Sequence, residues 1–208
     1  MAVLAIEIAD VGLAAAREDA LVATSAAVAL LDPAAPGDIV RAAGLIDVLL
    51  ANLAIPAPST PAMDVSDDEW REVFAALVDP LPRLARAVLP QMIARRSGKI
   101  LVMGSASALR GMKRASTYSA ARGAQLAYVQ AVGVEVAPHN VQVNAIAQNF
   151  VDNPTYFPPE VQADPRFRER LKREVPLGRL VGAREDAEHF LGRALITRDY
   201  EYTLDQFP

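Results

Sequence analysis

The 208-residue chain contains no cysteine. Disulfides, thiolate metal sites and a cysteine nucleophile are therefore excluded. Histidine is almost as scarce, with only His139 and His189, too few for a multi-histidine metal centre. No metal is expected. Lysine and arginine are scattered and the net charge is −4, so no basic footprint for nucleic acid is present. No apolar run reaches the roughly 18 residues that a membrane span needs. The opening residues MAVLAIEIADVG lack the basic start and small-residue cleavage site of a secretory leader. A soluble, cytoplasmic protein with no nucleic-acid or membrane partner is expected. What the chain does have is apolar content, 52% by residue, enough for one well-buried domain.

Strand-like and helix-like segments alternate, which predicts an α/β fold with a parallel sheet. Val3–Ile8 reads as a buried strand, the Ala-rich stretch from about Val11 to Ala27 as a helix, and Val28–Leu31 as a short second strand. Pro36-Gly37-Asp38 opens a short helix. Ile46–Ala51 is a continuous apolar run suited to the centre of a parallel sheet. Ser66-Asp67-Asp68-Glu69 is a capping box ahead of a helix over about 67–78. Pro80 and Pro82 start a second helix to about Arg96. Lys99–Met103 is a strand. Ser116 or Thr117 is expected to cap a long helix ending near Val136, and Val141–Ile146 is the next strand. Residues 147–165 read as a long loop, a feature usually tied to function. Arg166–Glu174 and Glu185–Ala194 read as helices and Glu201–Leu204 as a strand. No internal repeat or low-complexity linker is visible, so one domain over 1–208 is expected.

The chemistry is concentrated in Gly104-Ser105 and in Tyr118…Arg122. Tyr118 and Arg122 lie four residues apart, on one face of the predicted helix. A guanidinium beside a phenol favours the phenolate, which would make Tyr118 a usable base near neutral pH. Ser105, at the end of a predicted strand, can supply a hydroxyl to the same pocket. A dinucleotide fold needs glycines between its first strand and first helix, so that backbone can approach the pyrophosphate. Ile8-Ala9-Asp10-Val11-Gly12-Leu13-Ala14 offers a single one.

Asp47–Asn52, Lys99–Ser105, Tyr118…Arg122, Val143-Asn144-Ala145-Ile146 and Val175–Leu180 follow the order and spacing of the short-chain dehydrogenase/reductases. Within that superfamily the chain most resembles the halohydrin dehalogenases, a branch that kept the fold and lost the nicotinamide cofactor. Arg122 stands where the oxidoreductases carry lysine. Ser105 precedes Tyr118 by thirteen residues. Ala147-Gln148-Asn149-Phe150 replaces the usual Pro-Gly. The resemblance implies a Rossmann-like doubly wound parallel sheet with helices on both faces, in a single domain. Both ends read as shortened, since the segment before Ile46 is brief for two βα units and the chain stops soon after Asp205-Gln206-Phe207-Pro208.

The implied reaction turns a vicinal halohydrin into an epoxide with release of halide. In reverse, azide, cyanide or nitrite would open the epoxide. Ser105, Tyr118 and Arg122 would be catalytic. Asn149, Phe150, Tyr156 and Phe157 would bind halide and substrate, and no cofactor would be needed. A homotetramer through the helices near 67–96 and 117–136 is implied. Two other readings stay open: an NAD(P)-dependent oxidoreductase using Ser105 and Tyr118, and a non-catalytic, degraded relative.

Overall fold

The continuous apolar runs become strands of one parallel sheet. A computed structural model describes residues 3–7, 33–154, 156–182 and 185. Two compact units follow one another along the chain, Met1–Asn149 and Phe150–Pro208.

In the first unit the order is β1 (Val3–Glu7), α1 (Ala35–Ala43), β2 (Val48–Asn52), α2 (Asp67–Leu77), α3 (Pro80–Ala94), β3 (Gly98–Ser105), α4 (Ser107–Arg110), α5 (Ser116–Val136) and β4 (Val141–Gln148). The four strands lie in the order β1-β2-β3-β4, all parallel. This is the α/β fold with a parallel sheet that the alternation predicts, with flanking helices in the Rossmann-like manner that the resemblance implies. Register pairs Leu49 with Ile100 and Ala51 with Val102, and then Ile100 with Val143 and Val102 with Ala145. Because side chains alternate across a strand, these residues share one face. That face packs against Val40 of α1, Leu81, Leu84, Val88 and Met92 of α3, and Val129, Val132 and Val136 of α5 in one buried cluster. On α5 the buried positions 118, 121, 122, 125, 129, 132 and 136 recur every three or four residues, the stripe of a core-facing helix.

The second unit contains α6 (Pro159–Ala163) and α7 (Pro165–Glu174). Phe150, Phe167 and Leu171 form its core, with Phe157, Val161, Val175 and Leu180 packed on them. A parallel bridge pairs Val151 with Val181.

The N-cap of α2 is Ser66, whose Oγ accepts from the Glu69 backbone N–H at 3.0 Å, as the capping box requires. The start of α5 differs from expectation. Its N-cap is Ala115, with no side-chain cap. Ser116 is already helical, and the buried Thr117 instead donates its hydroxyl to Glu69 at 3.1 Å. The Glu69 carboxylate thus links α2 to α5. The loop expected over 147–165 is shorter, because β4 runs on to Gln148 and α6 occupies part of the rest. The helix expected over Val11–Ala27, the strands over Val28–Leu31 and Glu201–Leu204, and all of the Glu185–Ala194 helix except Glu185 lie outside the described residues. No helix among the described residues is long and apolar enough to cross a membrane.

At Gly104, β3 lies close against both β4 and α5. A Cβ there would lie 3.0 Å from the Ile146 carbonyl oxygen and 3.3 Å from Leu126 Cδ2. Gly37, inside α1, has nothing within 4 Å of the same position. Gly104→Ala should therefore destabilise the protein by about 1–3 kcal/mol. Gly37→Ala should stabilise it by about 0.5–1 kcal/mol. Urea denaturation of the two variants checks both signs.

Candidate functional site

In a parallel sheet, ligands bind beyond the carboxyl ends of the strands. Ser105 is the last residue of β3, opposite Gln148 of β4. Tyr118 and Arg122 stand in the first two turns of α5. The three catalytic candidates therefore all belong to the first unit.

The Arg122 guanidinium lies over the Tyr118 ring, 4.9 Å from its centroid, inside the range of a cation–π contact. Arg122 is only 3% exposed. Its Nη1 donates to the carbonyl oxygens of Leu53 at 2.8 Å and Met103 at 3.0 Å, and to Gln125 Oε1 at 3.0 Å. Leu53 follows the end of β2, and Met103 is two residues before Ser105. The cation thus ties two strand ends to the helix that carries Tyr118. Its Nε is buried with no hydrogen-bond partner. Among its described contacts are oxygens of neutral groups and an aromatic face, with no carboxylate. A buried charge is costly unless hydrogen-bonded, and here three oxygens and a ring supply the compensation. The positive charge is left uncancelled beside Tyr118.

Tyr118 itself is 7% exposed and packs with Val73, Leu77, Ala115 and Ala121, with Ile55, Ala57, Phe74 and Val78 around them. Ser105 Oγ accepts from both the hydroxyl and the backbone N–H of Ser107. Among the described residues, no hydrogen bond joins Ser105 to Tyr118 directly.

The expected halide-binding residues divide between the two units. Asn149, exposed, ends the first. Phe150 is buried in the second and stacks on Phe157 at 5.8 Å between centroids. Phe157 also meets Phe167 at 5.3 Å. Tyr156 is 41% exposed. Phe150 and Phe157 are thus brought together as parts of an aromatic core, while Tyr156 stays at the surface.

Two site residues escape a motif reading. Gln125 is fully buried, accepts from Arg122 and donates Nε2 to the Leu77 carbonyl at 2.6 Å. The signal available in the sequence was its position three residues after Arg122, on the same helical face. Ser107, 8% exposed, is the other; its signal was a second serine two residues after Ser105.

The superfamily resemblance brings with it the question of a nicotinamide dinucleotide. At the lysine position stands a guanidinium whose Nη1 is engaged by three oxygens, a rigid planar group that fits a ribose less well than a flexible ammonium. The Ile8–Ala14 segment, where a phosphate cradle would form, lies outside the described residues. No group of three or more His, Cys, Asp or Glu able to hold a metal occurs among the described residues.

Gln125→Leu removes both bonds of the amide, leaving the Leu77 carbonyl unpaired and Arg122 Nη1 with the Leu53 and Met103 carbonyls as its acceptors. A loss of about 1–3 kcal/mol is expected, the cost of one buried group left unpaired. Chemical denaturation measures it.

Comparison with known proteins places the chain in a family. The pattern of the family described as enoyl-(acyl carrier protein) reductase matches residues 33–192. The 3-oxoacyl-(acyl-carrier-protein) reductase of Vibrio harveyi is 31% identical over 144 residues, which is 69% of this chain and 57% of the relative. That of Pseudomonas aeruginosa is 36% identical over 125 residues, 60% of this chain and 49% of the relative. The chain spans about half the length of these curated relatives. Among solved structures, a dehalogenation enzyme superposes with a TM-score of 0.79 at 25% identity, over 93% of this chain and 89% of the other. A halohydrin dehalogenase bound to ethyl (2S)-oxiran-2-ylacetate superposes with a TM-score of 0.75 at 30% identity, over 83% and 70%. With its parallel sheet, its serine at the end of β3 and its tyrosine at the start of α5, the chain belongs to the enoyl-(acyl carrier protein) reductase family, within the short-chain dehydrogenase/reductase superfamily.

Proposed function

We propose that the protein is a cofactor-independent halohydrin dehalogenase, a carbon–halide lyase. The observation that carries this reading is the placement of Arg122. Its Nη1 is committed to Leu53, Met103 and Gln125, and the guanidinium lies against the ring of Tyr118. That arrangement leaves a positive charge beside a phenol, held in a rigid fork rather than on a flexible lysine stem. The likeness to two solved dehalogenases supports the same reading.

In the proposed reaction Ser105 donates a hydrogen bond to the substrate hydroxyl oxygen, and Tyr118, acting as phenolate, takes the hydroxyl proton and afterwards releases it to solvent. The oxygen's electron pair forms the new C–O bond on the neighbouring carbon, and the carbon–halogen pair leaves as halide. The substrate supplies nucleophile and leaving group in one molecule, so the protein contributes base, orientation and stabilisation of charge. Asn149, Phe150, Tyr156 and Phe157 are proposed to serve the halide and the substrate, by resemblance to the halide-binding loop. Residues 1–208 are read as one catalytic domain.

The curated relatives favour a second reading, an NAD(P)-dependent oxidoreductase, because those of highest similarity are named as reductases. There Ser105 would bind a carbonyl oxygen and Tyr118 would give it a proton.

The two readings separate in one experiment. Wild-type protein is incubated with chloro- and bromo-alcohols without nucleotide, and halide and epoxide are quantified; NADH and NADPH are titrated in parallel by fluorescence. Equimolar halide and epoxide, with no nucleotide binding, is the expected result. Tyr118→Phe should lower turnover by about 100-fold or more, the scale of lost general-base catalysis. Nucleotide binding without halide release would replace this reading by the oxidoreductase.

A homotetramer through the helices of 67–96 and 117–136 is the proposed assembly. On those helices Trp70, stacked on Phe74 at 4.6 Å, is 45% exposed and Val134 is 80% exposed. Light scattering after size exclusion should give the mass of four chains.

A further inference from the structure

Ser105 ends β3 and Ser107 opens α4. The Ser107 hydroxyl donates to Ser105 Oγ at 2.9 Å, and the Ser107 backbone N–H donates to the same oxygen at 3.2 Å. A hydroxyl has two acceptor lone pairs and one hydrogen. With the Ser107 hydroxyl as donor, this one neighbouring residue occupies both lone pairs of Ser105 and leaves its hydrogen free to offer. Ser107 is buried at 8% exposure, so solvent does not readily replace it in this pair.

We propose that Ser107 is a positioning residue that fixes Ser105 as a hydrogen-bond donor toward the oxygen of an alcohol or epoxide ligand. Ser105 then cannot accept the proton of an alcohol substrate, and that task falls to Tyr118 alone. The ligand class rests on the dehalogenase reading above. The polarity of Ser105 rests on the two hydrogen bonds.

The purely local alternative is a turn in which a serine side chain accepts the backbone N–H two residues on. Ser107→Ala distinguishes the two roles. It keeps the backbone N–H, and so the turn, but deletes the hydroxyl and frees one lone pair of Ser105. Ser107→Thr keeps the hydroxyl. Ser107→Cys keeps nearly the same shape with a much weaker donor.

Halide release from a bromo-alcohol is followed for wild type, these three variants, Ser105→Ala and the Ser105→Ala/Ser107→Ala pair, with melting temperatures alongside. Ser107→Ala and Ser107→Cys should each lower kcat about tenfold, with KM changed by less than about twofold, the pattern of a lost transition-state interaction. Ser107→Thr should retain most of the wild-type kcat. The double variant should be no slower than Ser105→Ala, because Ser107 acts only through Ser105. Wild-type halide release with an unaffected Ser107→Cys, or losses that multiply in the double variant, overturns this proposal and leaves the dehalogenase reading standing. No halide release from any wild-type reaction overturns both.

Discussion

The first unit is organised around one buried cation. Arg122 sits beneath the first turns of α5, and one of its nitrogens reaches the carbonyl beyond β2, a carbonyl near the end of β3 and the side chain of Gln125. Gln125 passes the connection on to the last residue of α2. A guanidinium carries its donors in a rigid fork and stays charged at every pH of interest. It can therefore hold carbonyl oxygens in a fixed array without losing its charge. The same placement fixes the tyrosine ring that rests against it, and the serine two residues past the Met103 carbonyl. Structure and proposed chemistry thus depend on the same contacts.

That dependence bears on the different directions in which the relatives point. Curated relatives ranked by sequence are reductases, and the solved structures with high likeness include dehalogenases. Identity near 30% speaks for a shared fold more than for a shared chemistry. A change of chemistry on one fold needs only a few side chains. In the proposed reading the change centres on Arg122, a single position in the chain.

The second unit has its own logic. Phe150, Phe157 and Phe167 form a short aromatic stack, with Leu171 beside it and Arg170 over the Phe150 ring. Aromatic rings bury much area for little lost freedom, which gives a small segment a core of its own. The residues expected to line a halide pocket are in part the residues that hold this unit together, so a binding role for them would be built on a packing role.

By itself the sequence marked the strands and the longer helices among the described residues of the first unit, and put Tyr118 and Arg122 on one helical face. Both are local: apolar runs bounded by breakers mark strands, and a four-residue spacing fixes two side chains on one helical face whatever surrounds them. Its errors were local too. At the head of α5, Ser116 and Thr117 looked like caps, yet Thr117 found a better partner in Glu69 across the α2–α5 contact. Only the tertiary structure decided where Nη1 of Arg122 is spent, that Gln125 supports it, and that Ser107 hydrogen-bonds with Ser105. Donors and acceptors do not choose partners by spacing along the chain. Leu53 is 69 residues from Arg122 and Leu77 is 48 from Gln125, and only the packing of α2 and α5 with the strand ends brings them within bonding distance.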